Sequence, residues 1–361
     1  MFQDHGLSML QISSLLITWA ACQMILEIPS GILADKIPRK YVLLIGSILK
    51  SFVFLFWLKH DYLFYSIGFI FWGISGALKS GTFLAFVYDE LKNINKEKLY
   101  EKISARIKTV GFVGLAIALG IGGFVAKYSY DLALILSIIV SILKIFVVAS
   151  FPVVKPHKST EEKNYLVFLT NAIKETKKDK ILLKLMIYFV MIMGFYGAYD
   201  EFADIVARNI GFGIAQVGLI GSATYMLIAL GSYSAPYLLK IHKLLNNERL
   251  IFFLTGCLFF IVGLKPVPIL ILLLLVAEYL AAVGGVKLEA KIQHQIDSNK
   301  RATLLSVNNL LLEGFAIIAT GIFGFLSQYS NTSKILLVTG GIFVILSLFF
   351  QQSNQNDSVK S

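Results

Sequence analysis

The sequence predicts an all-α membrane protein, a bundle of about 11 transmembrane helices in two pseudo-symmetric halves of five and six. Of its 361 residues, 57% are hydrophobic and only 15% are charged, whereas soluble domains contain about 25% charged residues. A helix needs about 20 mainly apolar residues to cross a bilayer, and such stretches follow one another along most of the chain. A weak internal repeat relates its front to its back.

The apolar stretches define the predicted helices in order. They lie at about 9 to 30, 41 to 58, 62 to 88, 106 to 127, 131 to 151, 181 to 203, 214 to 239, 249 to 264, 266 to 286, 303 to 327 and 334 to 350. The predicted halves are residues 1–154 and 181–350. The cytoplasmic linker, 155–180, has apolar residues at helical spacing and is expected to form an amphipathic helix on the membrane surface. The polar tail, 351–361, is expected to be disordered.

The net charge of +11 has two candidate explanations, nucleic-acid binding and membrane topology. Three lysines lie within spans, and nearly all other basic residues fall in one alternating set of loops and the tail. The opposite set contains only Lys59, Lys127, Arg208, Lys265 and Lys334. Because cytoplasmic loops are rich in Lys and Arg, topology explains the charge. We therefore expect a multi-pass protein of the cell membrane with no nucleic-acid partner.

Cysteine and histidine give no sign of an enzyme active site. Cys22 and Cys257 both lie within predicted spans, so neither a disulfide framework nor a metal site follows. The sequence shows no metal-ligand spacing and no phosphate-binding loop. All histidines fall in loops or at span ends: His5, His60, His157, His242 and His294. We expect no catalytic residues, no cofactor and no metal.

The internal repeat suggests an asymmetry between the halves. The segment GLSMLQISSL (Gly6 to Leu15) aligns weakly with GFGIAQVGLI (Gly211 to Ile220), and the same offset superimposes most of the predicted spans. The second copy is preceded by a span at 181 to 203 that has no counterpart at the front. We expect that a first helix is missing and that Met1 is outside unless that helix is restored. A natural 11-helix protein is the alternative.

The loop between the first two spans, EIPSGILADKIPRKYVLLIG, identifies a family. It resembles the signature loop of the major facilitator superfamily, G-x-L-A-D-x-x-G-R-K, which joins that family's second and third helices. Pro38 stands where the family has glycine, and Gly31 is expected to permit a close backbone approach. The matching residues are Gly31, Leu33, Ala34, Asp35, Arg39 and Lys40. Because the loop follows the first span here, it agrees with the absence of one helix.

The resemblance extends over the whole chain. The segment Gly73 to Leu91 resembles the family's fourth helix, with Lys79 and Asp89 in its characteristic positions, and Asn299 to Leu311 is similar to the start of the eleventh. It implies a major-facilitator-like bundle that transports a small solute as a monomer in the lipid bilayer, by rocking two halves about a central site. The antiporter Gly-Pro pattern is absent, so antiport is not implied. The alternative is a transport-inactive membrane fragment or membrane interaction protein.

The resemblance also implies that the signature loop acts as a cytoplasmic latch. Negative side chains are favoured near helix N-termini, so we expect Asp35 to face the helix start near Ala302 to Leu305. Arg39 is expected to pair with Asp89. The alternative is a set of solvated loop charges, worth about 0 to 1 kcal/mol per pair. Lys240 occupies the Asp35 position of the second half, so one latch is expected, formed by Gly31, Asp35, Arg39, Lys40 and Asp89.

Ionisable residues inside the spans are candidates for the substrate or ion pathway. At a rise of about 1.5 Å per residue, Glu278 and Glu313 lie near the midplane, and Lys79 is too deep for simple snorkelling. In the family, helices two, four, seven, ten and eleven face the cavity, so the resemblance also implies that Lys79, Glu278 and Glu313 line it. Asp200 and Glu201 are the next candidates. For these two, a position at the outer end of a helix is the alternative. Proton coupling through Glu278 or Glu313 is a hypothesis, because a membrane carboxyl group can bind and release protons.

Three further ionisable residues lie inside the predicted spans. Lys144 is close enough to the end of its span to snorkel, and Glu27 is expected to be an anchor inside its half. Lys50 is deep but belongs to a helix that the resemblance makes peripheral. The sequence predicts no role for it.

Overall fold

A computed structural model describes residues 1–153, 179–241, 247–296, 301–328 and 333–349. These residues are helical apart from short connections, and they contain no β-strand. The prediction of an all-α protein is therefore confirmed. The predicted amphipathic linker helix, apart from its last residues, and the polar tail lie outside the described residues.

Twelve α-helices occur within the described ranges. The first six are α1 (Met9–Lys36), α2 (Arg39–Trp57), α3 (Tyr62–Lys79), α4 (Thr82–Asn93), α5 (Tyr100–Tyr128) and α6 (Tyr130–Ala149). The next six are α7 (Lys180–Ile210), α8 (Ile214–Ile241), α9 (Glu248–Leu264), α10 (Ile271–Gln295), α11 (Arg301–Gln328) and α12 (Ser333–Phe349). Three short 3₁₀ turns cover Gln3–His5, Glu97–Leu99 and Pro268–Leu270.

Nine helical segments within the described residues are long and apolar enough to cross a membrane. A further apolar helix, Ser333–Leu348, is shorter. The count of 11 transmembrane helices and its division into five and six remain predictions. The nine segments are Met9–Glu27, Arg39–Trp57, Tyr62–Asn93, Lys102–Tyr128, Tyr130–Ala149, Lys180–Ile210, Ile214–Leu238, Pro268–Gln295 and Val307–Gln328.

The signature loop is largely helical. Helix α1 starts with a capping box, in which the Ser8 hydroxyl accepts from the backbone N–H of Gln11 at 3.2 Å and the Gln11 side chain accepts from the Ser8 N–H at 2.9 Å. The helix continues through most of the signature to Lys36. Pro38 directly precedes α2. Proline lacks a backbone N–H, but at this position no hydrogen bond of the helix depends on one. The connection between the two spans is therefore only two residues long.

The third predicted span is broken in the structure. The apolar run at 62 to 88 predicts one helix, but α3 ends at Lys79 and α4 begins at Thr82. Gly81 has a φ of +65°, a backbone conformation that residues other than glycine rarely adopt. The Thr82 N–H bonds to the Ser80 carbonyl oxygen at 2.6 Å instead of continuing the helical pattern. Periodicity alone could not show this turn.

The chain divides into two compact units. Unit 1 comprises Met1–Lys163, Gly213–Ser222 and Thr320–Gln328, and unit 2 comprises Asn164–Phe212, Ala223–Ala319 and Tyr329–Ser361. The start of α8 and the end of α11 therefore belong to unit 1, although the sequence assigns both helices to the second half. The predicted boundaries of the halves stay a prediction.

The two units repeat one pattern of helix packing. In unit 1, α2 packs against α3 and α6. In unit 2, α9 packs against α10 and α12, the helices at the corresponding positions of the repeat. Helices α9 and α12 approach so closely that a Cβ on Gly256 would lie only 2.8 Å from the carbonyl oxygen of Gly340. A repeated packing pattern is what a duplicated bundle predicts.

Unit 1 also contains a close helix contact that requires glycine. A Cβ on Gly123 of α5 would lie 2.7 Å from the Cα of Gly218 in α8, and a Cβ on Gly218 would lie 2.6 Å from the carbonyl oxygen of Leu119. The two backbones therefore touch near the Tyr128 end of α5. Small residues allow such close helix contacts in membranes.

Candidate functional site

Unit 2 contains a fully buried carboxyl group. Glu278, in α10, is only 2% exposed. The hydroxyl group of Tyr196, in α7, donates a hydrogen bond to its carboxyl Oε2. A buried polar group needs such a partner, because leaving it unpaired costs about 1 to 3 kcal/mol, and more if it is charged. Two packed helices thus enclose one carboxyl group with its own hydrogen-bond donor.

A second carboxyl group in unit 2 has the same kind of partner. The hydroxyl group of Tyr225, in α8, donates to Oδ2 of Asp200 at 2.8 Å. Asp200 lies four residues after Tyr196 in α7, so the two side chains share one face of that helix. The structure therefore brings α7, α8 and α10 together through two tyrosine–carboxyl pairs.

The two remaining predicted carboxyl groups have different surroundings. Glu201 is exposed, because the residue next to Asp200 points in another direction from the helix axis. Glu313 is half-buried in α11. Two residues further along, the ring of Phe315 packs edge-on against Phe195 of α7, with 5.2 Å between ring centroids. Helix α11 therefore packs against the helix that carries Tyr196 and Asp200.

Lys79 stands at the break between α3 and α4. It is the last residue of α3 and is exposed. The hydroxyl of the next residue, Ser80, donates to Oε1 of Glu27 in α1 at 3.4 Å, and Ser30 of α1 donates to the Ala77 carbonyl oxygen at 2.8 Å. Helix α1 therefore supplies polar partners to the end of α3, and the expectation that Glu27 is an interior anchor stays a prediction.

Lys50 has an aromatic partner that the sequence analysis missed. Its ammonium group lies over the ring of Trp72 in α3 and is 5.7 Å from the centroid of Phe54. Trp57 stacks against Trp72 with 5.3 Å between centroids. A desolvated cation–π contact is worth about 2 kcal/mol, which offsets part of the cost of a lysine within the membrane. Lys144, the other lysine of this region, is half-buried in α6.

The predicted pair of the signature loop is present in unit 1. The Arg39 Nη1 group donates to Oδ2 of Asp89 and, at 3.1 Å, to the carbonyl oxygen of Ala85. The Nη2 group lies 3.6 Å from Oδ1 of Asp35. Arg39 and Asp89 are largely buried, whereas the Asp35 side chain is 55% exposed. One guanidinium group thus joins α2 to α4 and keeps a weaker contact with α1.

The rest of the proposed latch receives less support. Lys40 is half-buried in α2. Gly31 lies inside α1, and a Cβ there would meet no atom within 4 Å, so the close backbone approach expected at this glycine is absent from the described residues. The expected partner of Asp35, the helix start near Ala302 to Leu305, consists mostly of residues whose side chains are not described. That contact stays a prediction.

Sequence reasoning overlooked the side chains that support the charged groups. Tyr196 could have been found, because it precedes Asp200 by one helical turn on the same helix. Tyr225 and Trp72 gave no such local signal. Each contacts a charged residue of another helix, and a single sequence contains no information about the rotation of two helices relative to each other.

Comparison with known proteins gives a consistent assignment. A sequence model described as Major Facilitator Superfamily matches residues 1–320. The Quinolone resistance protein NorA of Staphylococcus aureus (strain MRSA252) is 28% identical over 184 residues, which are 47% of this chain and 46% of the relative. The same protein from strain Mu50 / ATCC 700699 is 28% identical over 159 residues. The match thus spans less than half the length of these relatives.

Solved structures resemble the whole described fold. The nucleoside transporter NupG has a TM-score of 0.77 at 14% identity, with 96% of this chain and 91% of that chain covered. The D-xylose-proton symporter has a TM-score of 0.70 at 13% identity, with coverage of 97% and 89%. At these identities the likeness concerns the fold.

Proposed function

Because the chain belongs to the Major Facilitator Superfamily, we propose that it is a secondary active transporter that moves one class of small solute across the cell membrane by alternating access. The family assignment makes it a multi-pass membrane protein. We further propose that its Lys/Arg-rich loops face the cytoplasm, since such loops are retained on that side.

The observation that carries the proposal is the enclosed carboxyl group of Glu278 with its Tyr196 partner. Ionisable groups within the membrane are expensive, and they mark substrate and ion pathways. Glu278 lies in α10, beside α7 and its Asp200–Tyr225 pair. A purely structural position would be filled better by an apolar side chain, because an apolar residue needs no partner.

We propose that protons drive transport through these carboxyl groups. A tyrosine hydroxyl can donate to the ionised carboxylate, and it can rotate to accept when the carboxyl group is protonated. Both forms of Glu278 are therefore accommodated without a second charged residue. The name of the D-xylose-proton symporter shows that a protein of similar fold couples transport to protons, which makes protons the first coupling ion to test.

The pathway has a basic part as well, in our proposal. Lys79 is exposed at the break between α3 and α4. Discontinuous membrane helices often line binding sites, since their interrupted backbone leaves polar groups available. We propose that Lys79 belongs to the substrate or ion pathway in unit 1, and that Glu278 and Glu313 belong to it in unit 2. Asp200 and Glu201 remain further candidates.

The test is uptake by the purified protein in proteoliposomes with an imposed pH gradient. Three probes represent the classes named by the similar proteins: a quinolone, a nucleoside and D-xylose. We expect gradient-driven movement of one class and none in protein-free vesicles. Correctly folded protein that moves none of the probes and binds none of them would favour the transport-inactive alternative.

The signature loop is proposed to act as a latch through Arg39. Its guanidinium group is shared between buried Asp89 and exposed Asp35, so a small movement of α1 can change its partners. Such a shared cation is suited to a contact that forms and breaks during transport. The contact between Asp35 and the helix start near Ala302 to Leu305 is a further part of this proposal.

A further inference from the structure

Each unit contains an ion pair at the same place in its helix framework. In unit 1, Arg39 is the first residue of α2 and Asp89 lies four residues before the last residue of α4. In unit 2, Glu248 is the first residue of α9 and Lys291 lies four residues before the last residue of α10. Helices α2 and α9 correspond in the repeat, as do α4 and the end of α10. Both pairs therefore join the start of one of these helices to a point near the end of the other, with opposite charges.

The carboxylate of the unit 2 pair is buried, and this pair has additional support. The Glu248 side chain is 0% exposed and accepts a hydrogen bond from the Lys291 ammonium group. The Lys287 Nζ lies 3.4 Å from the other carboxylate oxygen. The next residue, Arg249, donates to the carbonyl oxygens of Ser347 and Leu348 at 2.9 and 3.1 Å. The start of α9 is thus bound to α10 and to the end of α12.

Helix dipoles act on the two pairs in opposite directions. The N-terminus of a helix has a partial positive charge and the C-terminus a partial negative charge. In unit 2, the acid Glu248 stands at an N-terminus and the base Lys291 stands near a C-terminus, so both dipoles favour the pair. In unit 1, Arg39 stands at an N-terminus and Asp89 near a C-terminus, so both dipoles oppose it.

The two pairs also differ in their second counter-ion. Within the described residues, each pair has one buried polar atom without a hydrogen-bond partner, Nε of Arg39 and Oε2 of Glu248. In unit 1 the second counter-ion is the Asp35 carboxylate, which is 55% exposed and lies 3.6 Å from Nη2 of Arg39. In unit 2 it is the Lys287 ammonium group, which is only 9% exposed.

We propose that the Glu248–Lys291 pair is a permanent clasp, an ion pair that holds the start of α9 to the end of α10 throughout transport. The Arg39–Asp89 pair, in contrast, breaks and re-forms during transport. The inference rests on the proposed function and adds Glu248 and Lys291 to it as positioning residues. Lys240 occupies the Asp35 position in the second half, so the signature residues alone do not indicate the clasp.

Charge-swap variants test the asymmetry. Exchanging the charges in unit 2, with Glu248→Lys and Lys291→Glu, places both residues against the helix dipoles. Exchanging them in unit 1, with Arg39→Glu and Asp89→Arg, places both in favour of the dipoles. The unit 2 swap is made in a Lys287→Met background and the unit 1 swap in an Asp35→Asn background, and each is compared with its own background, so that neither exchange creates a like-charge contact. We expect the unit 2 swap to lower the melting temperature of the purified protein by about 2 to 4 °C and the unit 1 swap to raise it by a similar amount.

The transport rate distinguishes the proposed role of these pairs from a merely structural one. We expect the stabilised unit 1 swap to turn over at least about threefold more slowly with an unchanged KM, since its pair no longer releases. We expect the unit 2 swap to transport better than Glu248→Lys alone, because the swap restores the attraction. Glu289→Lys, an exposed position of α10, is the matched control and should change neither quantity.

The melting temperatures decide the inference even if none of the three probes is transported. Shifts of the same sign in the two swaps, or none in either, would overturn it whatever the transport assay shows. If Glu248→Lys does not fold, the neutral pair Glu248→Gln with Lys291→Met replaces it. That pair should lower the melting temperature less than Glu248→Gln alone, which leaves Lys291 without its buried partner.

Discussion

Glu278→Gln is the sharpest perturbation of the proposed transport site. The side chain is 2% exposed and is bound by Tyr196. Glutamine has nearly the same shape, and its carbonyl oxygen can still accept from the tyrosine hydroxyl. The substitution therefore removes the titratable proton while preserving the packing and one hydrogen bond. We expect the variant to fold with a melting temperature close to that of the wild type.

The expected accumulation of solute follows from the assumption that one enclosed carboxyl group carries one proton per solute molecule. Each pH unit is worth about 1.36 kcal/mol per proton, so a gradient of two units supplies about 2.7 kcal/mol. That free energy supports an accumulation of about 100-fold, since about 1.4 kcal/mol is a factor of ten. Glu278→Gln should reduce the gradient-driven accumulation to about onefold, while exchange of labelled for unlabelled solute continues.

The assay is uptake into proteoliposomes with and without the imposed gradient, using the probe that the wild type transports. Glu289→Gln is the matched control, because Glu289 is an exposed carboxyl group on α10, the helix that carries Glu278, and it should retain the full accumulation. If Glu278→Gln still concentrates the probe about 100-fold, the carboxyl group is not the proton carrier. Loss of accumulation in Asp200→Asn alone would assign that role to Asp200.

Three further perturbations test the remaining contacts. Trp72→Leu should destabilise the protein by about 2 kcal/mol more in the presence of Lys50 than in a Lys50→Met background, and additive effects in unfolding measurements would show that the contact is worth little. Gly218→Leu should force α5 and α8 apart and slow transport strongly with unchanged membrane expression, and normal uptake would contradict a tight contact there. Asp35→Asn should alter turnover by several-fold with little change in melting temperature, while Arg39→Gln should reduce both. Unchanged transport by Asp35→Asn would leave the latch without support.

Several properties could be predicted from composition and one motif. The long apolar runs indicated an all-helical membrane protein, because backbone groups in lipid must be satisfied within helices. The signature residues around Asp35 and Arg39 indicated the family, and the family model confirms that prediction. The Arg39–Asp89 contact, expected from the same resemblance, is present in the structure. Its role as a latch stays a prediction.

Other features could not be predicted because they depend on how helices turn towards one another. The break at Gly81 is set by a local backbone conformation within an otherwise apolar run. The contact of Lys50 with Trp72 joins two helices, and the pairs of Tyr196 with Glu278 and of Tyr225 with Asp200 join three. Hydrophobic periodicity reports which face of one helix is apolar, but it says nothing about the partner of that face.

The sequence by itself therefore determined the membrane class, the family and the ionisable residues that the bilayer makes costly. These are properties of the residues and their order, and they do not depend on any particular packing. Only the tertiary structure decided which partners those residues have, and it alone placed Lys291 against the buried Glu248. The physical reason is that partners across helices are chosen by axial register and rotation, which many weak and distant packing contacts fix together.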